Sequence, residues 1–188
     1  SEADVSGNEV ILPSLTFVIT AHSVLYNNGK VKFADVDPVT LCMDIDSAKK
    51  LITKRTRVFL PVHFGGMPAD LASFEGLASQ TNSMLIDDAA HAAGAKFRGK
   101  RIGQIGTMSC FSFHPVKNLA MPTGGLVALN QKNFKQARKN LLSRRWCGIT
   151  DRKEVDYDVK ELGWNFYMNE FSAAVDLVQL AALDRLNK

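Results

Sequence analysis

Short apolar runs rich in Val, Ile, Leu and Phe recur along the chain, each punctuated by Gly, Pro, Asn or Asp and separated by stretches of helical periodicity. Six runs stand out, over residues 10–12, 31–36, 57–63, 84–87, 108–113 and 125–129. Runs that are apolar throughout, rather than alternating, predict strands covered on both faces, and so a three-layer α/β/α fold around a mostly parallel sheet. Leu71, Phe74, Leu77 and Ala78 trace one helical stripe and Phe134, Ala137, Leu141 and Leu142 another, and both helices are expected to pack on the sheet. A last helix over 169–187 is expected to bury Phe171, Val175, Val178 and Ala182, after a polar stretch, TDRKEVDYD, that reads as an exposed loop. Only nine residues separate His114 from Gly124. A parallel crossover needs about a dozen or more, so run 125–129 is predicted to lie antiparallel to its neighbour.

Composition narrows the class. With 188 residues, 46% hydrophobic and 22% charged, the chain has the material of one domain and is no disordered, collagenous or coiled-coil sequence. The net charge of +4 is too small over this length to point to nucleic acid, while phosphorylated small molecules stay open as partners. No apolar run approaches the roughly 18 residues of a membrane span, and SEADVSGNEV lacks the features of a signal peptide, so a cytoplasmic protein is expected. Cys42, Cys110 and Cys147 are odd in number and in no CxxC spacing, which predicts free thiols rather than a disulfide framework or zinc site. His22, His63 and His114 read as packed or satisfied histidines, and no HExxH or paired-ligand spacing suggests a metal.

Three segments carry chemistry. In MLIDDAAHAAGA a strand runs straight into Asp87 and Asp88. Ligands of open α/β sheets bind at the carboxyl ends of strands, so one of these carboxylates either caps the following turn or binds a cationic ring. In SCFSFHPVKNLAMPTGG another strand ends in a loop with Ser112, His114 and Lys117, whose hydroxyl and glycine donors suit an anion. A lysine there is commonly just solvated. Beside a cofactor aldehyde, however, partial desolvation favours the neutral, nucleophilic amine that Schiff-base chemistry needs. Lys117 follows Asp88 by 29 residues, room for one connection and a strand, which would bring both groups to one sheet edge. In PSLTFVITAHSV, Ser14 is a candidate helix cap. Phe17 reads by composition as core, but by position, in the loop after the first strand, as an aromatic face for a planar ring. The basic run Lys132, Lys135, Arg138, Lys139, Arg144 and Arg145 reads as a solvated helix face, or as an approach for an anionic substrate.

The segments GNEVILPSLTFVITAHSVLY, PVHFGGMPADL, LIDDAAHAAGA, GTMSCFSFHPVKN and GWNFYMNEFSAAV occur in the order and spacing of another group of sequences. They resemble the DegT/DnrJ/StrS-type sugar aminotransferases, pyridoxal-phosphate enzymes of the aspartate aminotransferase fold, over nearly the whole chain. DAAHA and SFHxxKN look most like members acting on nucleotide-linked 4-keto sugars in surface-polysaccharide biosynthesis. The resemblance implies pyridoxal 5'-phosphate as cofactor, L-glutamate as amino donor, a nucleotide-linked keto-deoxy sugar as acceptor and a homodimer with shared active sites.

Residue by residue, it implies that Lys117 forms the Schiff base with the cofactor and moves the proton between substrate carbon and cofactor. Asp88 matches the carboxylate that pairs with the pyridinium nitrogen. His91 falls near the ring hydroxyl, Ser112 at the phosphate, Phe17 on the ring face, and Asn165 where relatives reach the neighbouring subunit's phosphate. Against the family pattern, residues 1–188 are expected to form a pyridoxal-phosphate-binding large domain without the first strand and helix or the small C-terminal domain. Thr123 stands where many relatives carry an acid. Two other readings stay open: a family sugar dehydratase, disfavoured because those replace the Schiff-base lysine with histidine, and a noncatalytic remnant.

Overall fold

The computed structural model describes residues 4–131 and 133–188, so Lys132 of the basic run lies outside the described residues. Along the chain come β1 (Glu9–Pro13), α1 (Val18–Leu25), β2 (Lys30–Ala34), α2 (Ile45–Lys50), β3 (Thr56–Phe59), α3 (Leu71–Thr81) and β4 (Met84–Asp88). The second half contains β5 (Lys96–Phe97), β6 (Lys100–Arg101), β7 (Met108–Ser112), β8 (Gly125–Leu129), α4 (Phe134–Arg145), β9 (Ile149–Lys153), β10 (Asp156–Val159) and α5 (Glu170–Leu186).

All six apolar runs enter one sheet of order β2-β1-β3-β4-β7-β8. Every neighbouring pair is parallel except β7 and β8, which run antiparallel from Met108↔Leu129 to Ser112↔Gly125, as the short connection requires. This is the mostly parallel sheet with one antiparallel strand that the sequence predicts. The run over 57–63 is less strand than its apolarity suggests: β3 ends at Phe59, and Val62 touches the sheet again only through a bridge to Asp88.

Strand alternation splits the core in two. Ile11, Phe59 and Leu85 point to one face and pack with Leu71 and Phe74 of α3, the Phe59 and Phe74 rings lying 6.1 Å apart. Val10, Leu12 and Val58 point to the other and meet Val24 of α1. Full burial of such side chains is worth about 1.5–3 kcal/mol each, and this drives the layers together. Local signals fix the helix starts: Asp44 caps α2 by accepting the Ser47 amide at 2.6 Å, and Asn169 caps α5 by accepting that of Ser172 at 2.9 Å.

Four sequence expectations fail. Ser14 does not cap α1, whose N-cap is Phe17 with no side-chain bond. The TDRKEVDYD stretch is exposed but forms the β9–β10 hairpin. The second sheet face is not fully covered, because a cavity opens between α1 and α4, where Ala137 is buried but Phe134 is exposed. Finally, α5 turns its apolar stripe outward: Phe171 is 87% exposed and Val175 and Val178 are exposed too, while Ser172 and Leu183 are buried instead. Leu183 packs with Ala93, Phe113, Leu119 and Met121, and Asn187 donates to the Ala93 carbonyl. That contact is so close that a Cβ on Gly94, which has φ +81°, would sit 2.5 Å from Asn187 Nδ2.

Candidate active site

The alternation of β4 decides between the two adjacent carboxylates. Leu85 and Asp87 are buried with their side chains on the α3 face, so those of Ile86 and Asp88 lie on the opposite face; the cavity between α1 and α4 runs along all three of residues 86–88. Asp87 Oδ2 accepts Nε2–H of the fully buried His63 at 3.1 Å, and His63 Nδ1 accepts the Ala69 amide at 3.0 Å. Asp87 is thus committed to the interior. Asp88 closes the strand with both oxygens engaged: Oδ1 accepts the Ala90 amide at 3.0 Å and Oδ2 the Thr20 hydroxyl at 2.8 Å. It therefore does cap the following turn, yet it also borders an open space of about 490 Å³.

His91 follows on that turn. Its Nδ1 accepts the Gly65 amide at 3.2 Å, so the neutral ring carries its proton on Nε2. Gly65 and Gly66 both have positive φ, and a Cβ on Gly66 would lie 3.1 Å from the His91 carbonyl oxygen, so this glycine pair lets the two loops approach. Burial holds the imidazole below its ordinary value of 6.5, the Lys117 ammonium lowers it further, and the Asp88 carboxylate opposes both. His91, Lys117 and Asp88 therefore share one electrostatic neighbourhood. The unfolded chain takes up this proton before the folded one, so the contribution to stability is whole above about pH 6.5 and is lost as pH falls toward the folded value. His91→Gln is expected to flatten that part of the stability profile, read as denaturant midpoints at about pH 7.5 and 5.5; an unchanged slope would contradict it.

Lys117 is carried by a loop pinned at both ends. Phe113, Leu119 and Met121 bury their side chains together, the Lys117 amide donates to the His114 carbonyl at 2.8 Å, and Met121 donates to the Phe113 carbonyl at 2.9 Å. Asn118 Nδ2 donates to the Ala93 carbonyl at 2.8 Å, tying the lysine loop to the His91 turn. The Lys117 ammonium is half-buried and makes no hydrogen bond or ion pair among the described residues. Ser112, at the end of β7, lines the same cavity as Asp88, and its hydroxyl accepts the His114 amide at 3.3 Å. Phe17 is 72% exposed, which excludes the core reading, and it sits between Thr16 and Thr20 on the segment that reaches Asp88. Asn165 is not brought to this group: it is exposed and pairs with Trp146 in an isolated antiparallel bridge.

Cys110, opposite Asp88 in the β4–β7 register, keeps surface open to the cavity although it lies deep. Burial first, then Asp87 and Asp88, push its thiol up to about 11, which favours the protonated form. All three cysteines are free, as expected. Among the described residues no cluster of His, Cys, Asp and Glu could hold a metal ion, and no helix is long and apolar enough to cross a membrane.

The sequence profile of the DegT/DnrJ/EryC1/StrS aminotransferase family matches residues 2–188. The chain belongs to this family. Among solved structures it is similar to the sugar aminotransferase CalS13 from Micromonospora echinospora, at 34% identity and a TM-score of 0.86 over 95% of this chain and 50% of that one. DesV from S. venezuelae matches at 33% identity and a TM-score of 0.86, over 96% of this chain and 47% of that one. PseC from Helicobacter pylori, an aminotransferase involved in the biosynthesis of pseudoaminic acid, matches at 28% identity and a TM-score of 0.89, over 98% and 49%. This DegT-family chain thus spans about half the length of these solved relatives.

Enzymes of the DegT family use pyridoxal phosphate. The donor set suits that group: an ionisable carboxylate at the cavity wall, a neutral imidazole with a free Nε2–H, a hydroxyl at a strand end and an unpaired primary amine within electrostatic reach. Sequence reasoning missed Thr20, Gly65 and Asn118, which hold Asp88, His91 and the lysine loop in place. All three lie in segments that carry the family resemblance, GNEVILPSLTFVITAHSVLY, PVHFGG and SFHPVKN, and only their partners were invisible.

Proposed function

We propose that this chain forms the pyridoxal-phosphate-binding large domain of an aminotransferase that moves an amino group from L-glutamate to a nucleotide-linked keto-deoxy sugar. The observation that carries the reading is the grouping of Asp88, His91 and Lys117 at the carboxyl edge of β4 and β7, with the phosphate-type donor Ser112 on the same cavity. Bound pyridoxal phosphate supplies an electron sink for the pair released when a substrate carbon loses its proton. Asp88, ionised, would accept a hydrogen bond from the protonated ring nitrogen and so keep that nitrogen charged. His91 would donate from Nε2 to the ring hydroxyl, since its Nδ1 is already filled by Gly65. Ser112 would donate to the phosphate, and the exposed face of Phe17 would cover the ring. Lys117 would hold the cofactor through Nζ, and its amine would be the base that moves the proton between substrate carbon and cofactor.

Two further features fit. Leu162, Trp164, Phe166 and Phe171 are all exposed, Leu162 at 96%, an apolar surface of the kind that marks a protein interface, and Asn165 lies within it. We assign it to a homodimer in which Asn165 serves the neighbouring site. The open sheet face between α1 and α4 and the apolar outer strand β8, with Leu126 and Val127 exposed, offer packing surface for a further strand and helix of the large domain. The test is to load the protein carrying this chain with pyridoxal phosphate and follow its visible absorbance. Glutamate is expected to bleach the band and a nucleotide-linked keto sugar to restore it, with an aminated sugar as product. A band indifferent to glutamate and to other amino donors would contradict the assignment.

A further inference from the structure

Asp88 is held by a chain of hydroxyls that no part of the proposed chemistry uses. Thr16 Oγ1 and Thr20 Oγ1 are 2.8 Å apart, and Thr20 Oγ1 is 2.8 Å from Asp88 Oδ2, across 68 residues of sequence. An ionised carboxylate only accepts hydrogen bonds, so the single Thr20 proton goes to Asp88, and Thr16 must then donate to Thr20. The direction of the whole chain is fixed by the charge at its end. Thr20 is buried at 5% exposure, whereas Thr16 is half-buried on the loop that carries Phe17. Since Oδ1 is already tied to the Ala90 amide, the Thr20 bond removes the remaining rotation of the carboxylate plane.

We propose that Thr20, oriented by Thr16, is a positioning residue that locks the Asp88 carboxylate in the plane needed to meet a cationic ring nitrogen. The functional part of this proposal rests on the pyridoxal-phosphate reading; the hold of Thr20 on Asp88 does not. A methyl group in place of the hydroxyl keeps the shape of the side chain, so Thr20→Val deletes the donation to Asp88 together with the acceptance from Thr16, and Thr20→Ser restores both.

The experiment uses the protein carrying this chain and has two arms. In cofactor-free protein labelled at aspartate carboxyl carbons, the Asp88 resonance is assigned by its loss in Asp88→Asn. Thr20→Val is expected to move that resonance, Thr16→Val to move it less, and Thr20→Ser to leave it near the wild-type position. In the second arm, pyridoxal phosphate affinity is expected to fall about tenfold in Thr20→Val, the equivalent of one hydrogen bond to a charged group, and to recover in Thr20→Ser. An Asp88 resonance unmoved by Thr20→Val, or moved equally by Thr20→Ser, overturns the proposal. A moved resonance with unchanged affinity overturns the role toward the ring while leaving the contact standing. Equal pyridoxal phosphate affinity of wild type and Asp88→Asn would instead overturn the cofactor reading of Asp88. Should Thr20→Val not fold, Thr16→Val breaks the same chain outside the core, and an unmoved Asp88 resonance there counts against the proposal.

Discussion

Lys117→Ala yields a folded protein that retains no covalently attached pyridoxal phosphate and whose amino transfer falls by at least about 10⁴-fold. Two functions disappear with one amine: the anchor for the cofactor, and the base that carries the proton, a role worth roughly 10²–10⁴-fold by itself. The fold is expected to survive because the loop is held by Phe113, Leu119 and Met121 and by the Asn118 bond to Ala93, none of which involves the lysine ammonium. Its stability should therefore stay within about 0.5 kcal/mol of wild type. Turnover, absorbance and denaturant midpoint check the three parts separately. Turnover surviving in the variant would remove Lys117 from the mechanism.

Asp88→Asn is expected to bind pyridoxal phosphate more weakly than wild type while still loading with it, and to slow the half-reaction with glutamate by at least about a hundredfold. A neutral amide cannot hold a ring nitrogen protonated, so the preorganised charge opposite the electron sink is lost. The fold tolerates the change because the amide oxygen can still accept from Ala90. An unaltered half-reaction would contradict the role. Asp87 would be a poor substitute in that event, since it is fully buried on the far face of the sheet with Oδ2 bound to His63.

The central strands were legible because strands covered on both faces must be apolar without interruption, and the antiparallel β8 was legible because nine residues are too few for a crossover. The choice between Asp87 and Asp88 was not decided by residue type. It follows from the parity of β4, which only the packing of Leu85 against Phe74 on one side and the exposure of Ile86 to the cavity on the other reveals. The failure at α5 has a different cause. A stripe of Phe171, Val175 and Val178 shows that a helix has an apolar face but not what meets it, and here the short residues Ser172 and Ala173, with Leu183, turn toward the body. Thr20 escaped notice because nothing local distinguishes it. Its partner is 68 residues away, and a threonine in the first turn of a helix has many ordinary uses.

In the proposed function the amine of Lys117 and the carboxylate of Asp88 serve one bound pyridoxal phosphate. Borohydride reduction of the loaded protein followed by peptide mapping tests it most directly, because reduction fixes the cofactor on the residue that holds it. A single modified peptide is expected, the one containing Lys117, with labelling lost in Lys117→Ala. Modification concentrated on another lysine, such as Lys96 or Lys100 in the β5–β6 hairpin, would contradict it.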